Sequence, residues 1–210
     1  MTEAEWLAGT DSTLLLAFLE GKASSRKFRL FAVACCRRLL PLAPTKRNQE
    51  DVESAERFAD GTIPESQLNA VFYQRIERAS PIHTTCAMLP DAFHAAIISA
   101  NQTSRSISLQ KPPKGRRDAR IGEGTTQTTF LRDIFGNPFR PVNFSPAWLT
   151  PTVVSLAEGI YEDRAFDRLP ILADALQDAG CEDADVLGHC RGDGVHVRGC
   201  WVVDGVLGKV

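Results

Sequence analysis

Ser24-Ser25-Arg26-Lys27-Phe28-Arg29-Leu30-Phe31-Ala32-Val33-Ala34-Cys35-Cys36-Arg37-Arg38-Leu39-Leu40-Pro41 is the stretch that decides the fold class. Its apolar residues recur at helical spacing rather than in alternation, and they form a broad stripe. Arg26, Lys27, Arg29, Arg37 and Arg38 take much of the opposite face. Ser24 or Ser25 can accept a hydrogen bond from the unpaired amides of the first turn, and Pro41 cannot continue the helix. A helix so apolar must be covered on several sides, which places it at the centre of an N-terminal helical core.

Helical signals continue outward from this segment in both directions. Thr2 and Glu5 have capping-box spacing before a short helix ending at Gly9. Asp11 can cap a second helix carrying Leu14, Leu15, Phe18 and Leu19, which stops at Gly21. Downstream, Val52, Ala55, Phe58 and Ala59 mark another helix, and Pro64 precedes one with Leu68, Val71, Phe72 and Ile76. Pro81 interrupts the pattern. A further helix runs through Cys86, Met88, Phe93, Ala96 and Ile97, and Pro90 kinks or divides it. The expected arrangement is all-α, with an N-terminal helical bundle over residues 1–100.

Residues 101–127 read differently. They are rich in Ser, Thr and Gly, contain two adjacent prolines, and hold Arg105, Lys111, Lys114, Arg116, Arg117 and Arg120 against Asp118 and Glu123. This composition predicts a mobile basic loop or linker. From residue 128 to 210 helical patterning resumes as a C-terminal helical part, packed on or beside the first. Phe130, Leu131, Ile134 and Phe135 share a face that closes at Gly136. Ser145-Pro146 and Thr150-Pro151 each pair a capping hydroxyl with a proline suited to the first helical position. Asp167 is read as the cap of a helix ending at Gly180; the Val content of the tail from His196 to Leu207 fits either strand or helix, and helix is the preferred reading.

The totals exclude several classes. In 210 residues, 24 Lys and Arg stand against 26 Asp and Glu, so the chain is no uniformly basic coat protein. With 43% hydrophobic residues it can build a core and is not broadly disordered. Leu14 to Leu19 spans only about a third of a bilayer, so no membrane crossing is expected. Met1-Thr2-Glu3-Ala4-Glu5 lacks the basic start of a secretory leader. A cytoplasmic setting is therefore expected, with the six cysteines as thiols or ligands rather than disulfides.

Chemistry concentrates near the C-terminus, where Cys181, His189, Cys190, His196 and Cys200 offer five soft donors within twenty residues. That count suffices for zinc, and His196 and Cys200 would share a face if helical. No Cys-x-x-Cys knuckle is present, and buried thiols with capping histidines are the competing reading. Cys35-Cys36, flanked by Arg37 and Arg38, resembles an activated thiol pair but is read as core packing. His83 and His94 are candidate bases that nothing in the sequence brings near these thiols. The cations Lys111, Lys114, Arg116, Arg117 and Arg120 can track phosphates, although no aromatic residue accompanies them. Phe135, Phe139, Arg140 and Trp148, set among prolines, can wrap a core or anchor a partner. Gly122-Glu123-Gly124-Thr125-Thr126 lacks the Gly-Lys-Ser/Thr of a P-loop, and no hydrolase, zincin or dinucleotide motif is present.

Several blocks together resemble a large paralogous family of uncharacterised planctomycete proteins. They are Glu5-Trp6-Leu7, Gly21 to Ser24 leading into Arg29 to Arg38, Asp133 to Pro141, Leu169 to Leu176, and His196 to Trp201. The resemblance implies a bacterial, cytosolic protein found in many related copies, and carries no catalytic or binding residue with it. The leading reading is a non-catalytic helical interaction module with a protein partner and no required cofactor. The alternatives are a zinc-binding or thiol-dependent enzyme using the C-terminal cluster, and nucleic-acid binding through the basic loop.

Overall fold

In the computed structural model, residues 1–76 and 84–209 are described, and Pro81 and His83 lie outside them. Among the described residues every regular element is helical. The α-helices are α1 (Glu3–Ala8), α2 (Ser12–Leu19), α3 (Ser25–Arg37), α4 (Lys46–Ala59), α5 (Glu65–Ile76), α6 (Ala92–Leu109), α7 (Arg116–Phe135), α8 (Pro151–Asp163), α9 (Leu169–Asp178), α10 (Ala184–Arg191) and α11 (Trp201–Val206). Short 3-10 turns occur at Thr84–Met88, Pro113–Gly115, Pro146–Trp148 and Phe166–Arg168. Among the described residues no helix is long and apolar enough to cross a membrane. The chain divides into two compact units, Met1–Leu131 and Arg132–Val210.

The first unit is built around α3, which packs on α4, α6 and the 3-10 turn Thr84–Met88. Thr2 forms the expected capping box with Glu5, and Asp11 and Ser24 cap α2 and α3. Leu30, Phe31, Cys35 and Cys36 are fully buried, as the stripe requires. Arg29, assigned above to the opposite face, is also buried. Its guanidinium donates to the carbonyl oxygens of Ala87, Leu89 and Pro90. Pro90 does divide the helical run, as α6 starts afresh with Asp91 as its cap. The break leaves main-chain carbonyls without helical partners, and the donors of one arginine fill them.

The segment expected as a mobile basic loop is instead helical over most of its length, as the end of α6 and most of α7. Its composition misleads because many of the buried positions in and beside this segment are polar. Ser99, Thr103, Ser108, Glu123, Gln127 and Thr128 are all buried. Gln127 accepts from the Ser12 hydroxyl and donates to Ala100 O and Ser104 Oγ. Glu123 takes both oxygens onto the Arg38 guanidinium, at 2.8–3.0 Å. Thr125 and Thr126 bond back to the carbonyls four residues earlier, satisfying hydroxyls inside the helix. A hydropathy pattern has no apolar stripe to find here.

The second unit packs α8, α9, α10 and α11 around Val153, Ile160, Leu169, Leu172, Leu176 and Val203. Ser145 and Thr150 cap helical starts with proline next, as expected. Asp167 does not cap α9. It lies within the turn Phe166–Arg168, and α9 begins without a side-chain cap because Pro170 in its first turn removes one of the amides needing a partner. The tail is helical at Trp201–Val206, while His196 precedes that helix in irregular chain.

Two glycines in this unit should respond oppositely to alanine. A Cβ at Gly205 would lie 2.1 Å from Cε2 of Phe144, whose ring makes edge contacts with Trp148 and Trp201. Gly205→Ala should therefore cost about 1–3 kcal/mol through overpacking. Gly188, inside α10, has nothing within 4 Å of that position. Gly188→Ala should stabilise by about 0.5–1 kcal/mol. Urea titrations of both variants check this, and shifts of the same sign would refute the packing account.

Candidate metal centre

Four side chains of the second unit converge on one point: Asp133, His189, His196 and Cys200. Asp133 comes from the last turn of α7, and His189 from the last turn of α10. His196 follows the exposed Gly192-Asp193-Gly194 stretch. Cys200 immediately precedes α11, after a turn in which its amide donates to Val197 O at 3.0 Å. Gly199 takes φ +98° in that turn, a left-handed conformation open to glycine at little cost.

One ligand atom from each residue lies within 4.8 Å of all the others. His196 Nδ1 is 2.6 Å and His189 Nε2 is 3.2 Å from the same oxygen, Asp133 Oδ1. The same His189 nitrogen is 3.2 Å from Cys200 Sγ. Asp133 Oδ2 accepts from the Val197 amide at 2.8 Å, which ties the connection after α10 to the end of α7. The two imidazoles meet edge to face, with centroids 4.9 Å apart, and Trp201 lies against His189. Cys200 is fully buried, and the His196 side chain is 9% exposed with its Nε2 buried and making no hydrogen bond.

Burial opposes the charge of Asp133, but hydrogen bonds from His189 and His196 outweigh it, so its carboxyl titrates below the usual range. Burial, reinforced by the Asp133 carboxylate, pushes the Cys200 thiol well above its ordinary value. A carboxylate oxygen, two imidazole nitrogens and a sulfur form a group that can hold a metal ion. Tetrahedral bonds of about 2.0–2.3 Å place such donors about 3.3–3.8 Å apart. The observed separations, from 2.6 Å to at most 4.8 Å, bracket that range.

Of the five C-terminal residues singled out by sequence, His189, His196 and Cys200 come together, and Cys181 and Cys190 do not join them. Adjacent residues on a helix point about 100° apart, so α10 cannot aim His189 and Cys190 at one ion. Cys190 and Cys181 belong to the hydrophobic core of this unit. The helical i, i+4 pairing of His196 with Cys200 is also replaced, by the turn at Gly199. Asp133 was missed as a ligand. Its signal was a carboxylate on the apolar face of Phe130 and Ile134, where burial demands polar partners.

The remaining candidates are dispersed. Lys114 stands in the turn Pro113–Gly115, with Lys111 before it and Arg117 after it, all exposed. Arg116 Nε donates to Lys111 O and Arg120 Nε to Ser108 Oγ, each at 3.3 Å. Phe135 and Trp148 are half-buried, and Trp148 packs on Phe144. Phe139 is 38% exposed and Arg140 is exposed. Comparison of the chain with protein-family models, curated proteins and solved structures finds no match.

Proposed function

We propose that the protein is a non-catalytic helical module whose C-terminal unit holds one structural zinc ion through Asp133, His189, His196 and Cys200. The observation that carries this reading is the convergence of four donors, two buried and two partly buried, from separate stretches of chain on one point. Four protein donors fill a tetrahedral shell, as structural zinc sites do, whereas catalytic sites reserve a position for water. A mixed nitrogen, oxygen and sulfur set suits zinc better than the oxygen-rich shells of magnesium or calcium.

The thiol-enzyme alternative fits the same residues less well. A Cys–His–Asp triad uses opposite ring nitrogens for the nucleophile and the orienting carboxylate. Here one nitrogen, His189 Nε2, faces both Cys200 and Asp133. The Cys200 side chain has no exposed surface from which to meet a substrate.

Elemental analysis of the purified full chain should find close to one zinc per molecule, and Cys200→Ser should lose most of it. Cobalt in place of zinc should give a thiolate-to-metal charge-transfer band that the same substitution abolishes. A metal-free protein that takes up neither ion would end the proposal.

A further inference from the structure

Two cysteines of the first unit lie in contact although fifty positions apart in sequence. Cys36 projects from α3, and Cys86 from the turn Thr84–Met88. Their sulfurs are 3.6 Å apart, and Ser99 of α6 donates its hydroxyl to Cys86 Sγ at 3.2 Å. Cys36 is fully buried, whereas Cys86 keeps 6% of its surface exposed. A packing role alone explains two small buried side chains. It does not require that a hydroxyl donor be aimed at the Cys86 sulfur, with the Cys36 sulfur beside it and in reach of the same Ser99 hydroxyl and of Thr84 O.

We propose that Cys36 and Cys86 are a dithiol modification site, in which a peroxide-class oxidant converts the pair to an intramolecular disulfide. Cys86 is the attacking sulfur and Cys36 the resolving one. The Cys86 thiol gives up its proton, its thiolate attacks a peroxide oxygen, the O–O bond breaks, and the departing hydroxide takes that proton to become water. The sulfur of Cys36 then attacks the Cys86 sulfenic acid. An S–S bond forms, the S–O bond breaks, and the departing hydroxide takes the Cys36 proton as a second water. One hydrogen peroxide thus accepts two electrons from two thiols.

The order of attack follows from the surroundings. The contact with Cys36 and the Ser99 hydroxyl outweigh burial and draw the Cys86 thiol below its ordinary range. Its contact with Cys86 and its burial hold the Cys36 thiol well above that range. Closing the bond brings the sulfurs about 1.5 Å nearer, to the usual 2.0 Å. The new bond would tie α3 to the turn Thr84–Met88, closing a long loop through α4 and α5.

The test uses reduced full-length protein treated with hydrogen peroxide, denatured, alkylated and mapped by mass spectrometry. Tryptic cleavage leaves Cys35 and Cys36 on one peptide, Leu30 to Arg37, so fragmentation must separate them. The expected product joins Cys36 to Cys86, is two hydrogens lighter than the dithiol, and is reversed by a dithiol reductant. In Cys36→Ser, dimedone should label Cys86. Ser99→Ala should slow linkage about tenfold, matching loss of a hydrogen bond to a charged sulfur. General loosening of the core would speed oxidation instead, so a slower variant separates the two effects. Cys36 and Cys86 that stay alkylatable, a link from Cys86 to Cys35, or overoxidation without linkage would each overturn the proposal.

Discussion

Asp133→Ala is expected to destabilise the C-terminal unit by about 3–5 kcal/mol, the cost of removing one partner from a buried charged network. Three groups lose their acceptor together: the Val197 amide and the rings of His189 and His196. Against a total stability of about 5–15 kcal/mol, a loss of this size is severe. Trp148 and Trp201 belong to this unit, and Trp6 alone to the other, so tryptophan fluorescence in urea reports mainly on the affected part.

A chelator divides that loss into two contributions. If zinc is bound as proposed, Asp133→Ala removes both a ligand and the acceptor of the Val197 amide in untreated protein. In chelated protein only the unpaired amide and imidazoles count, about 1–3 kcal/mol. Wild type should therefore lose stability on chelation, and Asp133→Ala should respond little. Asp133→Asn retains an acceptor for Val197 but is a poor ligand, so it should resemble chelated wild type. An Asp133→Ala protein that loses as much stability on chelation as wild type would show that Asp133 is no ligand.

The legible parts of the sequence were those where burial and polarity run together. The stripe of α3, the caps at Thr2, Asp11 and Thr150, and the break at Pro90 are local signals, each with a local cause. The failures fall where polar groups are buried. Gln127, Glu123 and Thr103 fill an interior with hydrogen bonds, so a segment that looked solvated is packed helix. At the candidate metal centre, residue type and neighbourhood pointed to His189, His196 and Cys200, but equally to Cys181 and Cys190, which lie in the core. Asp133 is more than fifty positions away, and its role depends on how α7 and α10 meet in the folded unit. No spacing rule encodes that meeting.

Arg29→Met should be among the most damaging single changes in the N-terminal unit, at about 3–5 kcal/mol. Methionine fills much of the same volume, so lost packing is not the main cause. The cost comes from the carbonyls of Ala87, Leu89 and Pro90, to which Arg29 donates at that break. Each buried carbonyl left unpaired costs about 1–3 kcal/mol, tempered by whatever water enters. Arg29→Lys should recover part of the loss, because an ammonium has three donors but not the planar fork that reaches separated oxygens. Burial lowers the guanidinium pKa to about 10, against the opposing pull of Asp91 and Glu65. Its folded pKa is below the unfolded one, so stability from this group rises with pH only above about 10. Folded and unfolded chains both keep the proton at neutral pH, and the ranking of wild type, lysine and methionine should hold there without change. Equal urea midpoints for the methionine variant and wild type would mean that water serves these carbonyls as well as Arg29 does. The cationic residue in the stretch that decides the fold would then be incidental to it.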